Sequence, residues 1–515
     1  MAALRPATEG RGGSAPDWLL WRSKASPRAL AVRAGPLEWS YLDLQERVSA
    51  LSAVLLSRGV RRGDRVAILA QPSGGYVALA HALARIGAVA VPLNHRQSAP
   101  ELRAQLRDSS PSLVVHQEAS GLRRPPDAGP SKAAWATVED LMAESPGDGR
   151  DPVPGGTLDL ASAHAIVYTS GSSGHPKGVE LTLSNFMWNA VSVGLRTGAS
   201  QEDRWLLCMP LFHVGGYTVI FRSVLHGSGV VLHDRFDAGR VSRSLDEDGI
   251  TMASFVPTML SEVLEARGAR ALGPRVRVVF LGGGPPSSQL LAVIRKRRLP
   301  VLLTYGMTET CSQVALSDPI GSSGRPAYLQ AFPSEVAVAK PGAGRRLSFA
   351  GPGEAGEVAV RGPTLSRGYW RKPSATRARL RGEWFLTGDL GVLQDGPGGG
   401  IAILGRKEET IVSGGEKVYP AVVESALREH PSVRDAVVVG VEDEKWGQMV
   451  VAVVETRPEV GRPSEAELGA FLRERVGGYK VPKRFRFWPS LPRTATGKTR
   501  REEVRARVAR GDDPS

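Results

Sequence analysis

Residues 42–93 read LDLQERVSALSAVLLSRGVRRGDRVAILAQPSGGYVALAHALARIGAVAVPL and decide the fold class. The first third spaces its apolar residues three and four apart, which predicts an amphipathic helix. The run RVAILA that follows is short and apolar, and it is bounded by Gly-Asp and Gln-Pro, as buried strands are. YVALAHALARIG and AVAVPL then repeat the unit. Helices that alternate with buried strands predict a mostly parallel sheet with helices on both faces.

The same alternation continues towards the C-terminus. Further apolar runs end in small or turn-forming residues, and they read HAIVYTS, RWLLCMP, GVVLHD, MASFVP, RVVFLGG and VLLTYG. Ligands of open α/β sheets bind at the carboxyl ends of such strands. Because several of these ends carry unusual polar residues, the pattern indicates one shared site.

The pattern of predicted secondary structure changes twice after Gly351. The pieces GEVAVRG, GEWFLTGDLG and GIAILGR predict a small β-rich subdomain, and a compact α+β pattern follows Arg406. The predicted fold is therefore α/β: a large N-terminal domain of mostly parallel sheets with flanking helices plus a small β-rich subdomain, and a small mobile α+β C-terminal domain. We place the boundaries at residues 1–404 for the first domain, 405–409 for a hinge and 410–515 for the second domain.

Composition limits the class of protein. A chain of 515 residues with 42% hydrophobic content exceeds the size of one core. The net charge of +14 comes from Lys and Arg residues that are scattered along the chain, which disfavours nucleic acid as a partner and suits polyanionic small ligands. Cys208 and Cys311 lie far apart, so neither a disulfide framework nor a zinc site is predicted and a reducing cytoplasm fits best.

No membrane segment is expected. The longest apolar stretch, residues 76–93, contains His81 and Arg85, and the N-terminus lacks the apolar core of a signal peptide. We therefore expect a protein of the cytoplasm without stable membrane association. The sequence leaves open whether it forms a homodimer.

A loop rich in glycine and hydroxyl groups follows the apolar run AIV. Residues 168–178 read YTSGSSGHPKG, and such a loop can surround phosphate oxygens with N–H and hydroxyl donors while Lys177 adds a positive charge. The order does not match a Walker A loop or a nucleophile elbow. Taken as composition alone, the segment could equally be a linker.

Further motifs follow in a fixed order. They are MPLFH (209–213), GGG (282–284), YGMTE (305–309), TGD (387–389), GR (405–406), SGGEKVYP (413–420) and PRTATGK (492–498). Together with the glycine-rich loop, this series resembles the adenylate-forming superfamily, which includes acyl-CoA synthetases, peptide-synthetase adenylation domains and luciferases. The resemblance covers roughly residues 20 to 505.

The resemblance implies a role for each motif. The implied catalytic residues are Lys498, Glu309, His213 and Thr308, with Glu309 also as the ligand of Mg²⁺. The implied ATP-binding residues are Thr169, Ser170, Gly171, Ser172, Ser173, Gly174, Lys177, Gly283, Tyr305, Gly306, Thr308, Asp389 and Arg406. The implied acyl-binding residues are His213, Arg222, Gly282, Gly306 and Ser312. Gly414 and Gly415 would bind coenzyme A, and Glu408 takes the hinge position where the family usually has Asp or Lys.

The residue types suit these roles chemically. A carboxylate such as Glu309 is a hard ligand for Mg²⁺, and Asp389 can accept hydrogen bonds from both ribose hydroxyls. A cation at Lys498 can stabilise two anions as they meet, although a basic tail is more often merely solvated. Outside the motif context Glu309 would be a solvated loop residue, Asp389 a turn residue and His213 a capped core histidine.

The segment after His213 bears on which acid is bound. YTVIFRSVL predicts an apolar helix interrupted by Arg222, so an arginine is directed into or near the acyl pocket. Arginine is a bidentate partner for a second carboxylate, and Ser312 and Gln313 could add polar contacts. The alternative is that Arg222 pairs with an internal acid for structure.

The surrounding text, residues 202–237 together with YGMTETCSQVA (305–315), resembles the o-succinylbenzoate-CoA ligase branch of the superfamily. This resemblance implies an ATP-dependent acid-thiol ligase of menaquinone synthesis that uses ATP, Mg²⁺ and coenzyme A and releases AMP and pyrophosphate. Two alternatives stay open: an acyl-CoA ligase for another aryl or medium-chain acid, and a non-catalytic AMP-binding scaffold.

Overall fold

The computed structural model describes residues 13–117, 133–144, 156–169, 176–320, 328–340, 342, 347–394, 400–493 and 499–513. Within them the α-helices are, in chain order, α1 (Trp18–Ala25), α2 (Tyr41–Ser57), α3 (Gly74–Ile86), α4 (Ala99–Ser109), α5 (Val138–Ala143), α6 (Leu183–Thr197), α7 (Val214–His226), α8 (Ala238–Glu247), α9 (Pro257–Arg267), α10 (Ser288–Lys296), α11 (Pro373–Arg379), α12 (Pro420–Leu427), α13 (Glu465–Arg473) and α14 (Arg501–Arg510).

The strands of the same residues are, in chain order, β1 (Ser14–Pro16), β2 (Leu30–Ala34), β3 (Leu37–Ser40), β4 (Arg65–Leu69), β5 (Val89–Pro92), β6 (Leu113–His116), β7 (Ala134–Thr137), β8 (Thr157–Asp159), β9 (Ala163–Thr169), β10 (Lys177–Thr182), β11 (Arg204–Leu207), β12 (Gly229–Leu232), β13 (Met252–Phe255), β14 (Val278–Leu281), β15 (Val301–Met307), β16 (Ser312–Leu316), β17 (Leu329–Gln330), β18 (Glu335–Ala339), β19 (Ala355–Arg361), β20 (Gly368–Tyr369), β21 (Leu380–Arg381), β22 (Trp384–Leu393), β23 (Ile401–Arg406), β24 (Ile411–Ser413), β25 (Glu416–Val418), β26 (Val433–Asp443), β27 (Gly447–Thr456) and β28 (Arg484–Trp488).

Two large sheets form the N-terminal part of the protein. One has the strand order β17-β16-β15-β14-β13-β11-β12-β2-β3, and the other has the order β20-β10-β9-β5-β4-β6-β7. Strands β2, β12, β11, β13, β14 and β15 run parallel, as do β9, β5, β4, β6 and β7. The mostly parallel sheets and the α/β class predicted from the alternating pattern are confirmed.

The main hydrophobic core joins helices α2, α3, α6 and α7 to strands of both large sheets. Phe221 on α7 lies at its centre and contacts the rings of His164 and Phe186 at centroid distances of 4.7 and 5.1 Å. Helix α6 begins with a capping box between Thr182 and Asn185, which fixes where the helix starts. The core therefore holds α6 and α7 side by side.

Two smaller sheets follow along the chain. Strands β18, β19, β22, β21 and β23 form an antiparallel sheet, which is the predicted β-rich subdomain. Strands β24 to β28 form the sheet of the C-terminal part, and they pack with α12 and α13 around a core of their own. Gly405 and Arg406 belong to β23, and a 3₁₀ turn at Lys407–Glu409 leads into β24.

Both cysteines are buried and free. Along the described parts of the chain, no helix combines the length and the apolar character needed to cross a bilayer.

Candidate active site

The carboxyl ends of three strands in the nine-stranded sheet bring the predicted motifs together. Residues 209–213 follow β11, residues 282–284 follow β14, and residues 305–307 end β15. In the sheet, β13 separates β11 from β14, and β14 pairs with β15 in parallel. Since parallel strands end at one edge, these segments share that edge.

Close backbone packing at this edge requires glycine. A Cβ atom on Gly306 would lie 1.9 Å from the carbonyl oxygen of Ser312, and one on Gly282 would lie 2.1 Å from Oγ1 of Thr304. Neither distance is compatible with a side chain. The glycines of these two motifs therefore let neighbouring strands approach each other, whatever they also do for a ligand.

A polar network links the nine-stranded sheet to the small antiparallel sheet. The hydroxyl of Tyr305 donates to Oδ2 of Asp389 at 2.8 Å, and Nε of Arg406 lies 3.0 Å from Oδ1 of the same carboxylate. Arg406 also donates to the carbonyl of Thr387 at 3.3 Å. Asp389 is buried, whereas the side chain of Arg406 is half exposed. The three predicted nucleotide-binding residues Tyr305, Asp389 and Arg406 thus form one unit, which we call the polar network.

Glu309 lies in a 3₁₀ turn at Thr308–Thr310, directly after β15. Its Oε1 accepts a hydrogen bond from the hydroxyl of Tyr369 at 2.8 Å, and its backbone carbonyl accepts one from the N–H of Ser366 at 2.8 Å. The ammonium of Lys177 lies 5.4 Å from the centre of the Tyr369 ring. Tyr369 therefore stands between the predicted metal ligand and the predicted phosphate-binding lysine.

Nowhere in the described residues do three or more His, Cys, Asp or Glu side chains gather as a metal centre. The single half-buried carboxylate of Glu309 still fits Mg²⁺. Magnesium in nucleotide sites usually takes one or two carboxylates and completes its shell with phosphate oxygens and water.

The glycine-rich loop is framed by Thr169 at the end of β9 and Lys177 at the start of β10, which pair across the antiparallel ladder. Ser170, Gly171, Ser172, Ser173 and Gly174, which were predicted to bind phosphate, lie outside the described residues, and so does Lys498.

His213 caps the N-terminus of α7 and is partly exposed at the strand edge. The backbone of α7 packs closely on the preceding segment, since a Cβ on Gly216 would lie 2.5 Å from the carbonyl oxygen of Pro210. Gly306 lies near the end of β15, Thr308 begins the 3₁₀ turn that follows it, and Gly283 follows β14 with a positive φ of 80°.

Arg222 lies nine residues beyond His213, roughly 13 Å further along the axis of α7 at 1.5 Å per residue. It is 2% exposed. Its Nη2 donates to Oδ1 of Asn189 at 2.7 Å and to Oγ1 of Thr218 at 3.2 Å, and its guanidinium lies 4.8 Å from the centre of the Trp205 ring. We call Arg222, Asn189 and Thr218 the buried arginine cluster.

No carboxylate of the described residues pairs with Arg222, so the alternative of an internal ion pair finds no support there. Its Nε is buried without a hydrogen-bond partner, and so is Nε2 of Gln313, whose side chain is 6% exposed. Burial lowers the pKa of Arg222 to about 9, which still leaves it charged at neutral pH. The guanidinium of Arg222 thus keeps one unused donor inside the cluster.

Ser312 follows the motif at the start of β16, and its hydroxyl donates to Oε1 of Gln313 at 2.6 Å. In the C-terminal part, Gly414 and Gly415 have φ values of 59° and 82°, which favour glycine. A Cβ on Gly414 would lie 3.0 Å from the ring of Trp446, so this turn is packed against an aromatic side chain. Glu408 pairs with Arg379 at 3.4 Å.

The sequence argument missed two residues of the site. Tyr369 belongs to GYW, whose only signal is a pair of aromatic residues next to a glycine. Asn189 is fully buried in the middle of α6, and an asparagine in a helix interior is unfavourable unless its amide is bound. That unfavourable position was the available signal.

Comparison with known proteins identifies the family of the chain. Residues 19–370 match the family model described as AMP-binding enzyme, and residues 422–498 match the AMP-binding enzyme C-terminal domain. The chain belongs to the AMP-binding enzyme family.

Its relatives include one particular ligase. The chain is 38% identical to a 2-succinylbenzoate-CoA ligase of Bacillus licheniformis, covering 95% of this chain and 99% of the relative. It resembles o-succinylbenzoate CoA synthetase from Bacillus subtilis in complex with the acyl-adenylate intermediate, with a TM-score of 0.86, 34% identity and coverage of 96% of this chain and 98% of that one. A double mutant of that synthetase bound with its product analogue gives a TM-score of 0.71 at the same identity and the same coverage of both chains.

Proposed function

We propose that this protein is an acid-CoA ligase that activates o-succinylbenzoate with ATP and passes the acyl group to coenzyme A, as a step of menaquinone synthesis in the cytoplasm. The observation that carries the choice of acid is the buried arginine cluster. A buried cation with an unused donor and no acidic partner is costly in an apolar core, and a ligand carboxylate would offset that cost. After activation, o-succinylbenzoate keeps such a carboxylate.

The first half-reaction joins a carboxylate oxygen of the acid to the α-phosphorus of ATP, and the bond from that phosphorus to pyrophosphate breaks. In this proposal Asp389 accepts from the ribose hydroxyls, and Arg406 and Tyr305 hold that carboxylate in place. Glu309 would hold Mg²⁺, which neutralises phosphate charge when it is bound. Lys498 would lie between the reacting carboxylate and the α-phosphate, where it offsets the charge of both.

In the second half-reaction the sulfur of coenzyme A attacks the acyl carbon, and the bond to AMP breaks. The turn at Gly414 and Gly415 would admit the slender pantetheine arm, since no side chain blocks it. The division into residues 1–404, 405–409 and 410–515 is part of this proposal, with the last segment turning about the hinge between the two steps. The fall in TM-score from 0.86 to 0.71 between two complexes of one relative supports a change in arrangement.

The contacts around the hinge suit such a rotation. Lys407 pairs with Glu357 of β19 at 2.7 Å and Glu408 pairs with Arg379 at the end of α11 at 3.4 Å, which ties the hinge to the N-terminal part. Arg501 of α14 pairs with Glu409 at 3.2 Å and so ties the same turn to the C-terminal part. In the first two pairs the hinge residues Lys407 and Glu408 are the exposed partners, so solvent screening lowers the cost of breaking these pairs.

A panel of acids tests the proposal. Pyrophosphate release is measured with ATP, Mg²⁺ and coenzyme A for o-succinylbenzoate, benzoate, a cinnamate, hexanoate and palmitate. We expect strong preference for o-succinylbenzoate. Activity with a monocarboxylate instead would keep the mechanism and discard this acid, and no activity with any acid would favour the scaffold alternative.

Replacing Arg222 separates the acid pocket from the stability of the protein. For Arg222→Met we expect the KM for o-succinylbenzoate to rise about 100-fold, as on losing one member of a buried charged pair, while the KM for ATP changes little. Because no carboxylate of the described residues pairs with this buried charge, the thermal midpoint should fall less than on removal of a buried arginine that has an acidic partner.

The matched control is Arg267→Met. Arg267 is 4% exposed but pairs with Asp246 at 2.7 Å, so its removal should lower the thermal midpoint and leave acid selectivity unchanged. If Arg222→Met instead destabilises the protein like Arg267→Met and keeps the KM for o-succinylbenzoate, the argument for a second carboxylate fails.

A further inference from the structure

The turn that follows Glu309 has an unusual backbone. Cys311 and Ser312 are consecutive residues other than glycine, and both have positive φ values, 51° and 84°. Conformations of this kind are strained for residues other than glycine and persist only where surrounding groups hold them. The turn follows Thr308 and Glu309, and the carbonyl of Cys311 within it accepts a hydrogen bond from Asn189, so the turn joins the polar side of the site to the buried arginine cluster.

Besides the backbone bond from the N–H of Cys311 to the carbonyl of Thr308 at 3.0 Å, two side-chain hydrogen bonds hold this turn. Within the turn, the hydroxyl of Thr310 donates to the carbonyl of Ser312 at 2.7 Å. From outside, Nδ2 of Asn189 on α6 donates to the carbonyl of Cys311 at 2.8 Å. Asn189 is fully buried, so water does not compete with its side chain for the carbonyl of Cys311.

The orientation of the Asn189 amide is set by Arg222. Guanidinium nitrogens only donate hydrogen bonds, so the atom of Asn189 that faces Nη2 of Arg222 at 2.7 Å must be its oxygen. The NH₂ group then points to the carbonyl of Cys311. A relay therefore runs from Arg222 on α7 through Asn189 on α6 to the strained turn.

We propose that Asn189 is a positioning residue of the ligase reaction, which holds the Cys311–Ser312 turn so that Glu309 and Ser312 keep fixed places between nucleotide and acid. This inference rests on the proposed function. It assigns to α6 a role in the chemistry, although Asn189 itself touches neither substrate. It also gives Arg222 two roles. Its Nη2 orients Asn189, and its Nε can bind a ligand.

Asn189→Asp tests the relay with almost no change in shape. The carboxylate still accepts from Arg222, but an oxygen replaces the NH₂ group and faces the carbonyl of Cys311, so two acceptors meet. We expect kcat for the adenylation step to fall about 100-fold, because misplaced catalytic groups lose rate by about this factor. The step is measured by pyrophosphate exchange at saturating acid and ATP. The KM for ATP should change less than about threefold, because the polar network is intact.

A second readout follows the turn without any ligand. In the free protein, amide hydrogen exchange of a peptide spanning residues 306–316 should accelerate about tenfold or more in Asn189→Asp, because the turn is released. Asn189→Ala removes the same donor without adding a charge and should show the same acceleration. Asn189→Ala replaces Asn189→Asp in both experiments if the aspartate variant does not fold.

The matched control is Ser192→Ala. Ser192 is buried one turn further along α6, and its hydroxyl has no hydrogen-bond partner among the described residues. This variant should keep the wild-type kcat and the wild-type exchange at residues 306–316.

Wild-type kcat in both Asn189 variants would overturn the inference, and so would a lower kcat with unchanged exchange at residues 306–316. If the wild-type protein activates none of the acids, the proposed function fails and the positioning role fails with it. The exchange experiment then still decides whether Asn189 holds the turn.

Discussion

The polar network and the buried arginine cluster balance charge in opposite ways. In the polar network the carboxylate of Asp389 has both Tyr305 and Arg406 as partners. In the buried arginine cluster, the described residues give Arg222 only neutral hydrogen-bond acceptors. A site whose charges are balanced is preorganised for a ligand that adds contacts at its rim. A buried charge without a counter-charge selects a ligand that supplies one.

The largest effect is expected from Lys498→Ala, which tests whether either region can act without the cation that the PRTATGK motif supplies. Adenylation should fall by about a thousandfold or more, because charge at the reacting phosphate loses its partner. The variant should still convert supplied acyl-adenylate and coenzyme A into the thioester. If both steps fail equally, the proposed division of labour between two orientations is wrong for this protein.

Asp389→Asn should produce the mirror image of Arg222→Met. The variant loses the ion pair with Arg406 and one charged acceptor, and we expect the KM for ATP to rise about 10- to 100-fold. The KM for o-succinylbenzoate should stay within about threefold of wild type, since Asp389 lies in the polar network. Steady-state kinetics with each substrate varied in turn will measure both. Equal changes in both KM values would show that the two regions do not act separately.

The smallest effect concerns acid stability, and it should arise on the side of α7. Burial lowers the pKa of His81 and His226 to about 4 and that of His164 to about 3. The rings of His81 and His164 contact Phe221, and Nε2 of His226 lies 2.8 Å from the carbonyl oxygen of Ala190. These contacts place all three histidines against α7 or its neighbour α6.

The sign follows from the lowered pKa values. Below the ordinary histidine pKa of about 6.5 the unfolded chain binds protons that the folded protein excludes, so stability is lost as the pH falls from 6.5 towards 4. Each histidine should remove about 1 kcal/mol per pH unit in that window. Urea unfolding between pH 6.5 and 5 measures the slope of the free energy of unfolding against pH. His226→Gln should reduce this slope by the contribution of one histidine. A free energy of unfolding that is constant over this window would contradict the assignment of three buried neutral histidines.

The two regions also differ in how far the sequence reveals them. Tyr305, Glu309 and Arg406 lie in short motifs at strand ends, so the sequence shows both the residue type and its place, and Asp389 lies in the short motif TGD within β22. Arg222 was visible only as a charge in an apolar helix. Its burial and its lack of an acidic partner among the described residues depend on α6, β11 and β16, which are far from it in the chain.

Asn189 marks the limit of sequence analysis. In LSNFMWNAVSVGLRT, Asn189 differs from the capping residue Asn185 only by its place in the helix interior, and this position does not show that Asn189 contacts Arg222 and the Cys311 carbonyl. Tyr369 is similar, because its contact with Glu309 joins residues that are 60 positions apart. Such partners are set by packing between elements and leave no local pattern.

The sequence by itself determined the α/β class, the order of the motifs and the edge of the sheet on which they lie, because periodicity and strand-end residues are local properties of the chain. Only the tertiary structure decided which charges are paired, which polar atoms are left without a partner, and how the turn at Cys311 and Ser312 is held. These features depend on distances between elements that are far apart in sequence, and a buried donor gains or loses its partner over a few tenths of an ångström.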